Sequence, residues 1–121
     1  MLTGQLKSID DLPEGDFRRH YPRFQPGVFD INLQLVDQVA ALAAKKGVTT
    51  SQLAIGWCRA LAKRPGMPTI IPIPGSTTVE RAIENAKLVD LTDDEMAEID
   101  ATLAKFEVAG ARYPDGSLID T

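Results

Sequence analysis

The stretch that decides the fold is TIIPIPGSTTVERAIEN, which runs from Thr69 to Asn85. Its apolar start is interrupted by two prolines and changes abruptly, through Gly-Ser-Thr-Thr, into a polar helix start. The segment Met67–Ile73 predicts a strand that is apolar on both faces, as is typical of a strand buried on both sides in a parallel sheet. Such a strand needs neighbours on both edges, and no second strand is evident in the sequence. We therefore expect the rest of the sheet to lie outside this chain.

Two helices are predicted before this strand. The first begins near Phe29 and ends at a lysine pair followed by Gly47, as expected for a helix C-terminus. Its apolar stripe, at helical spacing, consists of Leu35, Val39, Leu42 and Ala43. The second begins after Thr49, which has capping-box spacing to Gln52. Its apolar face consists of Leu53, Ala54, Trp57, Cys58 and Leu61.

Two further helices are predicted after the strand. The third starts near Thr77 or Thr78, with Thr77 and Glu80 at capping-box spacing. We expect its inward face to consist of Val79, Ala82, Ile83 and Ala86. The fourth is capped by Thr92 with Glu95. The segments 1–27 and 107–121 are predicted to be irregular.

Composition limits the function classes. The 121 residues are the length of one domain, and the formal net charge of −4 argues against a general affinity for nucleic acid. A single cysteine, Cys58, cannot form an internal disulfide, which favours a cytoplasmic location. No apolar run approaches the roughly 18 residues of a membrane span. With one histidine and one cysteine, we expect no metal site.

The polar helix start has the features of an anion site. A helix N-terminus offers unpaired backbone N–H groups and a partial positive charge, to which a phosphate binds readily. The residues that could contribute are Gly75, Ser76, Thr77 and Arg81, with Glu84 and Asn85 one turn beyond Arg81 on the same face. Spacing alone also permits a simpler interpretation, in which the hydroxyls only cap the helix and Arg81 pairs with Glu84 at the surface.

The run IIPIPGSTTVERAIENAKLVDLTDDEMAEID resembles the last strand and closing helices of the aldo-keto reductases, in particular the YakC-like, NADP-dependent members. The upstream stretches LTGQLKS, GDFRRHYPRF and TTSQLAIGWCRAL match the same family in the same order. The resemblance implies an α/β fold, an eight-stranded (β/α)8 TIM barrel. This chain, residues 1–121, would be its C-terminal third, mostly helical with one barrel strand, the last. It also implies NADPH as cofactor and a small aldehyde or ketone as substrate.

The resemblance assigns cofactor contacts position by position. Ser76 and Thr77 would hold the adenosine 2′-phosphate, and Arg81 would pack on the adenine and pair with that phosphate. Glu84 and Asn85 would contact the ribose–adenine end. Close approach of the backbone would come from Gly75. Two flanking assignments complete the set. The loop formed by Leu2, Thr3 and Gly4 would lie along the pyrophosphate, and Arg18 or Arg19 would add a further contact to the same anion.

The catalytic residues of the family find no match in this chain. Hydride transfer there relies on a Tyr acid with Lys, Asp and His, all from the first half of the barrel. We therefore assign no catalytic residue and expect the isolated chain to lack reductase activity. An alternative is a stand-alone, non-catalytic interaction module that docks onto barrel halves or self-associates.

The segment KKGVTTSQLAIGWCRALAK also fits a helix-turn-helix. Its second helix would present Gln52, Arg59 and Lys63 to bases. The acidic composition disfavours this interpretation, and we expect neither a nucleic acid nor a membrane as partner.

Overall fold

The computed structural model describes residues 1–117. It contains four α-helices, which are α1 (Val28–Lys46), α2 (Thr50–Leu61), α3 (Val79–Ala86) and α4 (Asp93–Ala104). Before α1, the chain forms three short 3-10 helices, Ile9–Asp11, Phe17–His20 and Pro22–Phe24. No strand is present within residues 1–117. The described part of the chain is therefore mostly helical, and its N-terminal segment is more regular than predicted.

The predicted ends of α1, α2 and α4 are confirmed. Gly47 ends α1 in the left-handed conformation, with φ of 73°. At the start of α2 the Thr49 hydroxyl accepts from the Gln52 N–H at 3.2 Å, and the Gln52 side chain accepts from the Thr49 N–H at 3.1 Å. Thr92 and Glu95 form the same reciprocal pair at α4. These ends depend on residues close in sequence, which explains their predictability.

The start of α3 near Thr77 or Thr78 is confirmed, but the predicted capping box is not. Thr78, not Thr77, is the N-cap, and its hydroxyl accepts from the Arg81 N–H at 3.3 Å. The expected Thr77–Glu80 capping box is therefore wrong. Thr78 has the extended backbone that an N-cap needs. The expected inward packing is also absent, since Val79 and Ile83 are 70% and 58% exposed.

The strand predicted over Met67–Ile73 is not confirmed. The segment forms neither helix nor strand, and Ile71 and Ile73 are 78% and 91% exposed. Strand pairing requires a second strand, and residues 1–117 contain none. The two-sided burial that the composition predicts is therefore not achieved by the described residues themselves.

The core lies between α1, α2 and α4. Ala43, Leu53 and Ile99 are buried at its centre, one from each helix. The partly buried side chains around them are Val39, Leu42, Val48, Trp57 and Leu91. At its edge the ammonium of Lys46 lies 2.7 Å from the Glu95 carboxylate, which joins α1 to α4.

An apolar cavity of about 130 Å³ adjoins this core, and Leu2, Leu42 and Trp57 lie in its wall. The indole N–H of Trp57 is buried and has no hydrogen-bond partner among residues 1–117.

The segment after α4 is attached to α1 and to the N-terminal segment. The amide of Asn32, which is 3% exposed, donates to the Ala109 carbonyl at 2.9 Å and accepts from the Ala109 N–H at 3.0 Å. Arg23 donates to the Gly110 carbonyl at 3.2 Å. The segment after α4 is thereby held against both α1 and the N-terminal segment.

Two arginines of the N-terminal segment have internal partners. The Arg18 guanidinium lies 2.6 Å from the Asp16 carboxylate, and this contact, with the Arg18 backbone N–H, lowers the pKa of Asp16 to about 2. Arg19 donates to the carbonyls of Leu12 and Pro13, each at 3.0 Å. Both side chains thus stabilise the local fold of this segment.

A close approach fixes the path of the chain after α3. Gly56 of α2 lies against the segment that follows α3. A Cβ added at Gly56 would stand 2.8 Å from the Val89 carbonyl oxygen. The backbone at Val89 cannot move aside as the end of a flexible side chain could. A residue without a side chain is therefore required at position 56.

We expect Gly56→Ala to reduce the free energy of unfolding by about 1–3 kcal/mol, because overpacking displaces the backbone after α3. Urea denaturation followed by circular dichroism measures this loss. Gly75→Ala is the matched control, since a Cβ at Gly75 meets no atom within 4 Å. Equal stability of the two variants would contradict the close approach.

We expect Arg18→Ala to raise the pKa of Asp16 from about 2 toward its ordinary value of about 3.9. A lowered native pKa stabilises the fold above the unfolded-state pKa, and this stabilisation is lost as the pH falls through the native pKa. The variant should therefore lose stability at neutral pH and show a weaker decline between about pH 4 and pH 2. Carboxyl titration by NMR measures the shift.

Asp11 serves as the internal reference for this titration. The backbone N–H groups of Lys7 and Ser8 lower the pKa of Asp11, so the Arg18 substitution should leave it unchanged. If the pKa of Asp16 also stayed unchanged, the ion pair would not be the cause of its depression.

Candidate functional site

A cleft of about 430 Å³ opens between the N-terminus of α2, the loop before α3, and α3 itself. We call it the α2–α3 cleft. Eight of its twelve lining residues carry hydroxyl, amide or charged side chains. The lining residues are Thr3, Gln5, Thr49, Thr50, Ser51, Ala54, Ile55, Pro74, Gly75, Arg81, Glu84 and Asn85.

Four of the six predicted site residues line this cleft together, namely Gly75, Arg81, Glu84 and Asn85. Ser76 lies instead in a neighbouring depression with Pro72 and Leu88, which Asn85 also borders. Thr77 is exposed and does not line the cleft. The structure thus brings together the helical part of the predicted site and leaves the two loop hydroxyls outside.

Glu84 and Asn85 are held by internal contacts. The Glu84 carboxylate accepts from the Thr49 hydroxyl at 2.7 Å, and the Glu84 carbonyl accepts from the Gln52 amide at 3.1 Å. The Asn85 amide donates to the Gly75 carbonyl at 3.4 Å. These bonds connect α3 to the start of α2 on one side and to the preceding loop on the other.

Arg81 differs from these neighbours in its contacts. Its side chain is exposed, and it makes no ion pair and no side-chain hydrogen bond with any residue from 1 to 117. The surface pair with Glu84, which the sequence permits, is not formed. A guanidinium offers five N–H donors in a planar fork, so Arg81 presents this capacity at the edge of the cleft.

The start of α2 contributes a part of the wall that sequence reasoning missed. Thr50 and Ser51 belong to the first turn of α2 and line the cleft. The first turn of a helix carries a partial positive charge, which favours an anion nearby. The run of hydroxyls at 49–51 was a usable signal, but its position beside α3 depends on the tertiary fold.

The flanking assignments have mixed outcomes. Thr3 lines the cleft, whereas Leu2 lies in the wall of the apolar cavity beside Trp57. Arg18 and Arg19 are engaged within the N-terminal segment and do not line the cleft. The additional anion contact from Arg18 or Arg19 therefore stays a prediction, since both side chains already have internal partners.

Two of the three residues that the helix-turn-helix interpretation assigns to base reading are engaged within the structure, whereas Lys63 is exposed. Gln52 is 9% exposed and is used in the cap of α2. A terminal nitrogen of Arg59 lies 4.0 Å from the Asp90 carboxylate, and another is buried. These two side chains are therefore not presented on a free surface.

Residues 1–117 contain no group of three or more His, Cys, Asp or Glu side chains that could hold a metal ion. None of the helices in that range is long and apolar enough to cross a membrane.

Comparisons with known proteins agree on one family. Residues 2–104 match the model of the aldo/keto reductase family. The chain is 42% identical over 118 residues to "Aldo-keto reductase yakc [NADP(+)]" of Schizosaccharomyces pombe, covering 96% of this chain and 33% of that protein. It is 37% identical to "Putative pyridoxal reductase" of Saccharomyces cerevisiae, covering 93% of this chain and 35% of that protein.

A third relative, "Probable pyridoxal reductase 2" of Schizosaccharomyces pombe, is 36% identical, with 93% of this chain and 34% of that protein covered. No solved structure gives a significant match. The chain spans about a third of the length of the curated relatives it matches. The family model covers most of the chain, and the resemblance read from the sequence is confirmed: the chain belongs to the aldo/keto reductase family.

Proposed function

We propose that this chain forms the adenosine 2′-phosphate and adenine part of the cofactor site of an NADPH-dependent aldo-keto reductase. The observation that carries the proposal is the exposed guanidinium of Arg81 at the edge of the α2–α3 cleft, which has no partner among residues 1–117. The relative that is 42% identical is named as using NADP(+). The complete enzyme would be a (β/α)8 barrel in which residues 67–73 form the last strand.

The proposed phosphate contacts lie at the start of α3 and in the loop before it. Arg81 pairs with the 2′-phosphate through its fork of donors. A Cβ added at Gly75 would meet open space, so a ligand can approach its backbone closely. Ser76 and Thr77 add hydroxyl donors from the loop. The Ser76 hydroxyl, which donates to the Thr78 carbonyl at 2.7 Å, would exchange that partner for a phosphate oxygen.

The adenine and its ribose would lie further along α3. Glu84 uses one carboxylate oxygen to accept from Thr49, which leaves the other oxygen for the ligand. Asn85 carries both a carbonyl and an NH₂ group, so it can accept from and donate to a purine edge. The cleft volume of about 430 Å³ is within the usual range for small-molecule sites.

The chemical step is proposed to depend on residues outside this chain. NADPH supplies the hydride that reduces the carbonyl of an aldehyde or ketone. No residue of this chain is assigned a catalytic role, and the isolated chain is proposed to be inactive. Its contribution is binding and selection of the cofactor. The proposed location is the cytoplasm, which the single cysteine, Cys58, supports.

We expect Arg81→Ala to weaken binding of NADP⁺ roughly 10–100-fold, because a charge-assisted hydrogen bond contributes about 1.5–3 kcal/mol. Binding of NAD⁺, which lacks the 2′-phosphate, should change by less than about threefold. Isothermal titration calorimetry of this chain with both dinucleotides measures the difference.

Lys87→Ala is the matched control for this experiment. Lys87 is the C-cap residue of α3 and does not line the cleft. The substitution therefore removes one positive charge outside the proposed phosphate site. It should leave both affinities nearly unchanged. Equal losses for NADP⁺ and NAD⁺ in Arg81→Ala would overturn the assignment of Arg81 to the 2′-phosphate.

A second candidate function is that of an interaction module that docks onto barrel halves or self-associates. The observation in its favour is a set of exposed apolar side chains along the loop and α3. The set consists of Ile71, Ile73, Val79, Ile83 and Leu88, with exposures between 58% and 91%. Several large apolar side chains left exposed on neighbouring elements favour a contact with another protein surface.

If this surface mediates self-association, the double variant Ile71→Asn/Ile73→Asn should shift the chain from oligomer toward monomer in sedimentation velocity. Its unfolding free energy as a monomer should change little, because both side chains are largely exposed already. Ile31→Asn, at a 45% exposed position on α1, is the control and should leave the association intact. A wild-type chain that stayed monomeric at all concentrations and unfolded cooperatively would contradict the need for a partner.

A further inference from the structure

One buried amide bridges α2 and α3. Gln52 lies on α2 and is 9% exposed. Its carbonyl oxygen accepts from the Thr49 N–H at 3.1 Å, and its NH₂ group donates to the Glu84 carbonyl at 3.1 Å. We infer that Gln52 is a positioning residue that holds α3, and with it Arg81, in place at the α2–α3 cleft. This inference rests on the proposed function.

Few hydrogen bonds of α3 itself secure it to the rest of the described chain. The helix has eight residues, and none of them is buried. Helices this short are marginal in water without tertiary contacts. Glu84 links the last turn of α3 to α2 through hydrogen bonds with Thr49 and Gln52. Asn85 links α3 to the preceding loop through a hydrogen bond to Gly75. The Asn85 bond, at 3.4 Å, is at the long end of the range, and the Thr49 hydroxyl belongs to an exposed residue.

The residue type at position 52 fits this double use. A side-chain amide carries both an acceptor and donors, whereas a carboxylate accepts and does not donate. Either Glu or Gln can complete a capping box with Thr49. The additional donor to α3 is present in Gln alone. Gln52→Glu therefore retains the cap of α2 and removes its link to α3.

Arg81 lies one turn before Glu84 on the same helix, so the anchor at Glu84 sets where its guanidinium points. Fork-like pairing with a phosphate requires a defined direction and distance. A loosened α3 should therefore lose the contact to the 2′-phosphate before it loses weaker contacts to the rest of the dinucleotide. The ratio of NADP⁺ to NAD⁺ affinity measures this directly. A merely destabilised chain would lower both affinities by the same factor.

The test uses the full chain, titrated calorimetrically with NADP⁺ and with NAD⁺, in Gln52→Glu, in the neutral Gln52→Met and in the wild type. Both variants should lower the ratio of NADP⁺ to NAD⁺ affinity at least fivefold. Gln38→Glu introduces the same charge at an exposed position of α1 and should leave the ratio unchanged. A loss confined to Gln52→Glu would be an effect of charge and would overturn the inference.

Amide hydrogen exchange provides a readout that needs no ligand. In Gln52→Glu, exchange should accelerate over residues 79–86 and stay unchanged over residues 53–61, because the cap of α2 is retained. Unchanged exchange in α3 would overturn the anchoring role.

The outcomes also separate this inference from the proposed function. If the wild type showed no preference for NADP⁺, or if Arg81→Ala retained it, the proposed function would fail and this inference with it. If Arg81→Ala lost the preference while both Gln52 variants kept it, the positioning role of Gln52 alone would be overturned.

Discussion

The packing of α1, α2 and α4 around Ala43, Leu53 and Ile99 is the constraint on which the other features depend. These helices bury one another's apolar stripes, and that contact fixes the direction of α2. The first turn of α2 then supplies one wall of the cleft, and its capping residues Thr49 and Gln52 hold Glu84 of α3. The cleft is thus formed by a stable helical core on one side and by a short, weakly packed helix on the other.

The division between the two sides has a physical basis. α1, α2 and α4 find their apolar partners among residues 1–117, whereas residues 67–73 and the apolar face of α3 find none there. The aldo/keto reductase relatives are about three times as long as this chain. Residues 1–117 therefore do not provide enough packing surface to bury the exposed isoleucines.

Sequence reasoning succeeded where the determining contacts are local. The caps at Thr49 and Thr92 and the glycine after α1 involve residues within four positions of one another, so spacing alone predicts them. The strand over 67–73 is not confirmed within residues 1–117, because strand formation depends on a distant partner strand. The cap of α3 fell one residue later than expected, since two adjacent threonines offered equivalent signals.

The candidate site was predictable to the same extent. Gly75, Arg81, Glu84 and Asn85 lie on one short helix and the loop before it, so their proximity follows from helical spacing. The approach of Thr50 and Ser51 to Arg81 depends on how α2 packs against α3, which no local pattern encodes. The sequence analysis also did not predict that Asp16 would pair with Arg18, although the two residues are close in sequence. This pairing engages the Arg18 side chain within the N-terminal segment.

The pairing of Asn32 with Ala109 has a consequence for the order of folding. Its two hydrogen bonds close a loop across 77 residues, and the entropy lost in closing a loop grows with its length. Contacts of this separation form slowly compared with those inside a helix or between adjacent helices. The segment after α4 should therefore settle against α1 last, once the helices that hold Asn32 in position have already assembled.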